Sequence, residues 1–285
     1  MGELEDVCAR AWPAVVTRPL GRWLLRASGG YTGRANSALA VGPPGVPLPA
    51  ALRAVVSFSA EHGIRPYVQA VVGDEVEAAL PGLGWEVNLA HPKGAESAVL
   101  TSVLGSGPGR APVGGTGVEV GGAGVGTPGV GGPGVEGSGV GAPGVARPGA
   151  EGLGVSGSGV EVVGSPPPGW FELAVGGEPS AAQRAVLTSG PRVGFACLRE
   201  GGAVVGVARG CVVDDHLHIA VLEVRSGHRR RGCARRLLAG LDAWATAHGA
   251  RRRVLQVATH NEGALALYRG LGYVESHRYR YWVPA

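Results

Sequence analysis

The apolar positions of the last third of the chain change period at a basic turn. Ile219-Ala-Val-Leu-Glu-Val224 is a compact apolar run of strand length, and Leu237, Leu238, Leu241, Trp244 and Ala245 recur just beyond it at helical spacing. The change of period falls across Arg225 to Gly232 and predicts a helix start at about Gly232. A second run, Val254-Leu-Gln-Val-Ala258, reads as the neighbouring strand. Thr259-His-Asn261 ends it with a cap-type residue, and the helix that follows carries Ala264, Leu265, Leu267 and Tyr268 before Gly270-Leu-Gly-Tyr273.

Residues 1 to about 104 read as a second globular unit that echoes this order. A hairpin from Trp23 to Arg26, through Gly29-Gly30, to the strand of Ala35 to Val41 precedes a helix from Ala50 to His62. Pro66-Tyr-Val-Gln-Ala-Val-Val72, Asp74, a helix to Leu80 and Gly82-Leu-Gly-Trp85 then run parallel to the strand, Asn261, the Tyr268 helix and Gly270-Leu-Gly-Tyr273. Two copies of such a pattern indicate two related units rather than a solenoid. The copies differ at the turn, where Val41-Gly-Pro-Pro-Gly-Val-Pro-Leu-Pro49 stands in place of the arginines. Each proline there removes a donor amide.

Composition separates the units. The chain has 285 residues, of which 52 are glycine and 21 proline, and Gly105 to Gly169 is dense in both. Pro-Gly-Val recurs at Pro128, Pro133 and Pro143, charges are few and aromatic residues absent. Such a segment buries too little to offset its ordering entropy, so residues 105–168 are expected to be a disordered, elastin-like linker between units 1–104 and 169–285.

Chemistry concentrates at the basic turn. The first amides of a helix lack intrahelical acceptors and carry the positive end of its dipole, so a strand-to-helix turn is a ready anion cradle. Gly232 and Ala234 add no bulk that would hold a pyrophosphate away. Arg229-x-x-Gly232-x-Ala234 matches the Arg/Gln-x-x-Gly-x-Gly/Ala signature of the GCN5-related N-acetyltransferases, the GNAT superfamily. The later strand, Asn261, the Tyr268 helix and Leu271-Gly-Tyr273 resemble that superfamily's second acetyl-CoA motif. The amino-terminal unit, with its Arg34-Ala-Asn-Ser37 run, resembles the degenerate first half of tandem, actinobacterial-type GNAT proteins, although a turn satisfied by Asn36 and Ser37 is the simpler account of that run.

The resemblance implies an α/β fold, a mixed twisted sheet flanked by helices, and an acetyl-CoA-dependent N-acyltransferase in which a primary amine attacks the thioester directly in a ternary complex. It implies that Leu222 and Val224 hold the pantetheine arm through their backbone. Arg229, Arg230, Arg231, Gly232, Cys233, Ala234 and Arg235 would cradle the pyrophosphate, with Arg229 and Arg231 lending charge. Tyr268 stands where the superfamily places the acid that faces the thioester sulfur. Glu223 is the candidate base, with His216, His218 and His260 as alternatives of suitable intrinsic acidity. Asn261 would bond pantetheine or cap its helix, and the two roles are compatible. Cys233 reads as a small helix-start residue, since direct attack needs no acyl-enzyme.

Other classes fit less well. Cys8, Cys197, Cys211 and Cys233 lack the spacing of a zinc site or disulfide framework, so no metal is expected. No signal core stands in residues 1 to 20, where Glu3, Glu5 and Asp6 fall, and no long uncharged apolar run follows, so a cytoplasmic protein without a membrane partner is expected. The formal net charge of +4 is modest, and no aromatic residue interleaves the 229–236 arginines, which argues against nucleic acid. A non-catalytic CoA-binding or regulatory module with the same fold is the alternative, and the acceptor amine is unidentified because fold resemblance does not specify it.

Overall fold

The computed structural model describes residues 2–91, 94–105 and 159–285. In chain order its elements are α1 (Gly2–Ala11), β1 (Val16–Leu20), β2 (Trp23–Ala27), β3 (Ala38–Ala40), α2 (Leu48–Glu61), β4 (Val68–Val71), α3 (Glu75–Ala79), β5 (Trp85–Val87) and β6 (Glu96–Val103). After the glycine-rich segment come β7 (Val160–Val163), α4 (Trp170–Val175), α5 (Ala181–Thr188), β8 (Val193–Glu200), β9 (Ala203–Val213), β10 (His216–Val224), α6 (Cys233–Ala247), β11 (Arg252–Ala258), α7 (Glu262–Arg269) and β12 (Val274–Pro284).

Among the described residues all strands join one sheet in the order β1-β2-β3-β4-β12-β6-β11-β10-β9-β8-β7, with β5 beside β12. Two pairs are parallel, β3 with β4 and β10 with β11, and each is bridged by the helix the sequence predicts, α2 and α6. Parallel neighbours need such a crossover because a tight turn cannot reverse the chain twice. The centre of the sheet interleaves the two halves of the chain. β6 lies between β11 and β12, and β12 runs on from β6 to pair with β4 and β5. Strands of both expected units therefore share one sheet. Local periodicity reports strands, not their partners, and this pairing is long-range.

α6 and α7 cover one face over Leu217, Ile219, Leu237, Leu241, Leu255 and Leu265, and α2 continues that layer over Val68, Ala70 and Trp282. α6 sits close to the strands because Gly206 and Gly210 face it. A Cβ on either would come within 2.9 Å of Leu237 or Leu241. The opposite face is covered by α1, through Val7, Cys8 and Ala11, and by α4 and α5 around Trp170, Val186 and Leu187.

Residues 106–158 lie outside the described residues, and with them most of the expected linker. Its expected end at 168 is corrected by β7, which pairs with β8 along the sheet edge and buries Val160 and Val162. The alternation of Val160-Glu-Val162 is a strand signal of period two that the surrounding glycine and proline content masks. The four cysteines are buried and free, and among the described residues no helix is long and apolar enough to cross a membrane.

Candidate active site

β10 and β11 separate midway along their length. They pair from His216 opposite Arg252 to Ile219 opposite Leu255 and no further. On its other edge β10 stays with β9, but the register shifts between Ala220 and Glu223, and Val221 takes a positive φ of 54°. An extra residue in one strand bends it and increases its twist. Here the bulge turns the end of β10 away from β11 and opens a fork in the sheet. The bulge also sets the faces. Leu222 and Val224 pack toward the α6 cluster, Ala220 and Val221 pack toward Trp12 on the opposite face, and Glu223 is exposed.

The basic turn closes the end of the fork on the α6 side. Arg230 and Gly232 adopt left-handed conformations, φ 62° and 80°, and α6 begins at Cys233 with Gly232 as its cap. The first helical bond runs from the Arg236 amide to the Gly232 carbonyl, and among the described residues no backbone carbonyl accepts from the amides of 230 to 235. A Cβ on Gly232 would meet open space, and its backbone conformation is one that other residues adopt at a cost.

A cavity of about 1160 Å³ passes through the fork. Its walls include Ala220 to Val224, Arg229, Arg230, Gly232 to Arg235, Gln256 to Ala258, Asn261 and Tyr268. Tyr268 is 7% exposed on the inner side of α7, with its ring 5.4 Å from that of Tyr273. Burial first, and the nearby Glu223 carboxylate second, push its phenol up to about 12. It therefore stays protonated throughout the neutral range.

The opposite wall comes from the other half of the chain. Trp12, Tyr31, Thr32, Gly33, Arg34, His91 and Ser97 line the cavity with Tyr279 and Tyr281 of β12. Arg34 Nη1 donates to Gln256 Oε1 at 2.8 Å, and its guanidinium lies 4.8 Å from the Trp12 ring centre. Arg209 lies 5.1 Å from the same ring and is wholly buried, donating to the carbonyls of Ala11, Leu187 and Ser189. Burial lowers it to about 10.

Most of the sequence-predicted residues converge on this cavity. Leu222, Glu223, Val224, Arg229, Arg230, Gly232, Cys233, Ala234, Arg235, Asn261 and Tyr268 all line it. Arg231 does not. Its guanidinium faces Glu200 at 3.7 Å on the outer side of the turn. Arg229 donates its Nε to the Val224 carbonyl at 3.1 Å, tying the turn to the strand end. The Asn261 side chain accepts the Ala264 amide at 3.1 Å as the cap of α7. Among the alternative bases, His260 lines the cavity, whereas His216 lies at the paired end of β10. His218 is fully enclosed, and burial with the charges of Arg34 and Arg209 drives its imidazole well below the usual range.

Asn36 is the centre of a satisfied turn. Its Oδ1 accepts the Ser28 and Gly30 amides and its Nδ2 donates to the Tyr31 and Thr32 carbonyls, which presents Tyr31 to Arg34 to the cavity. The residues that sequence reasoning missed are those this turn and β12 supply. Arg278-Tyr-Arg-Tyr281 alternates charge with aromatic, and buried Tyr279 and Tyr281 follow that period. For Trp12 and Tyr31 no local signal existed.

Comparison with known proteins places this geometry. Residues 169–273 match the family model "Acetyltransferase (GNAT) family", and residues 1–81 match the model "Probable histone acetyltransferase Rv0428c C-terminal". No curated protein matches the sequence. A GCN5-related N-acetyltransferase from Kribbella flavida superposes with a TM-score of 0.57 at 17% identity, over 99% of this chain and 94% of its own. A functionally unknown conserved protein from Staphylococcus epidermidis superposes at 0.54 with 8% identity, over 98% and 96%. A GCN5-related N-acetyltransferase from Sphaerobacter thermophilus gives 0.49 at 18% identity, over 86% and 71%. The first two share the fold across both halves of the chain. Residues 169–273, which match the acetyltransferase (GNAT) family model, thus carry the fork, the turn and Tyr268.

Proposed function

We propose that the chain is an acetyl-CoA-dependent N-acyltransferase that moves an acetyl group to a primary amine by direct attack in a ternary complex. The observation that carries this reading is a single cavity, open through the sheet, that joins the amides of the 229–235 turn to Tyr268 and Glu223. Those amides suit the cosubstrate. They have no backbone acceptor among the described residues, and Gly232 leaves open space where a side chain would stand.

In this reading the amides of residues 230 to 235, with Arg229, Arg230 and Arg235, hold the pyrophosphate. The backbone of Leu222 and Val224, with Asn261, holds the pantetheine arm along the unpaired edge of β10. Arg231 adds long-range charge. Bound acetyl-CoA supplies a thioester, an acyl donor already activated toward amines. Glu223 takes the proton that the amine nitrogen sheds as its bond to the acyl carbon forms. Tyr268 donates a hydrogen bond to the sulfur as the carbon–sulfur bond breaks. Full transfer from a phenol near 12 to a thiolate of ordinary acidity, about 8.5, runs uphill. Tyr268 thus stabilises the developing thiolate, and the thiol's proton arrives from the medium.

The proposal extends to the organisation of the chain: residues 1–104 as a degenerate GNAT-like unit, the stretch up to β7 as linker, and the cytoplasm as its setting. The short β3 stays paired with β4 along its whole length, so this half has no fork, and Pro43, Pro44, Pro47 and Pro49 occupy the turn before and into α2. Both features support a single cosubstrate site per chain. The test is to incubate the full chain with acetyl-CoA and a panel of primary amines, following thiol release and acetylated products by mass spectrometry. Acetylation that depends on the protein is expected. Release of thiol without any acetylated amine contradicts the proposal.

A further inference from the structure

The acceptor end of the cavity carries a cation that no carboxylate among the described residues neutralises. Arg34 lies on the cavity wall, held by Gln256 along one edge and by the Trp12 ring. No carboxylate comes within ion-pair distance of it among the described residues. Glu5, the buried acid of this region, is committed to His277 at 2.8 Å and to Gln69 at 3.0 Å. Arg209, on the same tryptophan, is bound by the neutral carbonyls of Ala11, Leu187 and Ser189 and interacts with the Cys211 thiol, so it adds positive charge beneath the floor.

Across the whole described lining the one acidic residue is Glu223. A polycationic acceptor needs several carboxylates, because each ammonium brought out of water must be paired. Here it would meet the charge of Arg34 instead. The remaining N–H groups of Arg34 form a planar fork suited to a carboxylate. The wall around it, Tyr31, Tyr279, Tyr281 and Trp12, is aromatic and uncharged, and His91 stacks on Tyr281 with ring centres 4.5 Å apart. One guanidinium offsets one negative charge, which favours a monoanion over a phosphate dianion.

We infer that the acceptor is an amine carrying a single carboxylate on an aromatic or apolar body, an amino-acid-like molecule whose carboxylate binds Arg34 while its nitrogen faces Glu223. This rests on the acyltransferase reading above and names the substrate class of the same cavity. Arg34 acts as a specificity determinant supplied by the half of the chain that lacks the cosubstrate cradle. That gives the amino-terminal half a task in the reaction.

The test is calorimetric titration of the CoA-saturated protein with the product-like N-acetylphenylalanine and N-acetylleucine. Each is paired with its carboxylate-free counterpart, N-acetylphenethylamine or N-acetylisoamylamine. A charge-assisted hydrogen bond predicts roughly 10- to 100-fold tighter binding of the carboxylates. Arg34→Gln should erase that preference while leaving the neutral pair unchanged, and Arg34→Lys should keep part of it. The wild-type comparison stands alone if a variant misfolds. Equal affinity within the pairs, or no binding of either class to a protein that does bind CoA, overturns the inference and leaves the acyltransferase reading standing. A protein that binds no CoA overturns both.

Discussion

Leu100 of β6 sits directly opposite Leu255 of β11, so a strand from the first half of the chain completes the sheet on which α6 and α7 rest. Leu100 is 2% exposed and packs in the same cluster as Tyr268. Leu100→Ala should cost about 2–5 kcal/mol, the usual range for a buried leucine, read as a lower urea midpoint. Residues 159–285 expressed alone should fail to give a cooperative transition, because β11 and β12 then lose their shared neighbour. A stable isolated fragment that binds acetyl-CoA as well as the full chain contradicts the shared-sheet account.

Tyr268 links pH to stability. Burial, and secondarily Glu223, hold its phenol near 12 against an ordinary 10, so the folded state grips the proton more tightly than the unfolded chain does. A raised folded value contributes a constant stability below about pH 10 that is lost as pH climbs toward 12. Ultraviolet titration of wild type minus Tyr268→Phe should place this ionisation above pH 11. A Tyr268-dependent transition between pH 8 and 9 would contradict it.

Glu223→Gln keeps the size of the side chain and removes its capacity as a base. Turnover should fall by ~100-fold or more, in the range typical of general-base loss, with the affinity for acetyl-CoA preserved. Calorimetry alongside steady-state kinetics separates the two effects. Unchanged turnover with chemistry rate-limiting passes the role to His260 or water.

Tyr268→Phe retains the ring against Tyr273 and removes only the hydroxyl. What is lost is one hydrogen bond to the developing thiolate, so turnover should fall by roughly 10- to 100-fold. Melting temperature should change little. Loss of stability without loss of turnover would show Tyr268 to be a packing residue alone.

The fork was half legible in the sequence. The end of β10, the turn and α6 are local and follow one another in the chain, so period and residue type reveal them. The Val221 bulge leaves no comparable mark, because a positive φ at a valine is imposed by its neighbours. Glu223 illustrates the consequence. Alternation puts it opposite Leu222 and Val224 without saying whether that side meets the substrate, and in the structure it lines the cavity. Arg34 was visible only as part of a turn. Its position on the cavity depends on pairing through β12 and β6, which no local pattern encodes. β7 was hidden by the composition around it.

Calorimetric titration of the full chain against its Gly232→Asp variant tests most directly whether the 229–235 turn is the cradle for acetyl-CoA. Gly232 contacts nothing within 4 Å of where a Cβ would stand, and aspartate is among the residues that best tolerate a left-handed conformation, so the variant should fold. Its carboxylate would occupy the space left for an anion and repel one. The prediction is one acetyl-CoA per wild-type chain and at least ~100-fold weaker binding in the variant, the scale of two to three charge-assisted contacts. Two sites per chain, or an unchanged affinity in a folded Gly232→Asp protein, would contradict it.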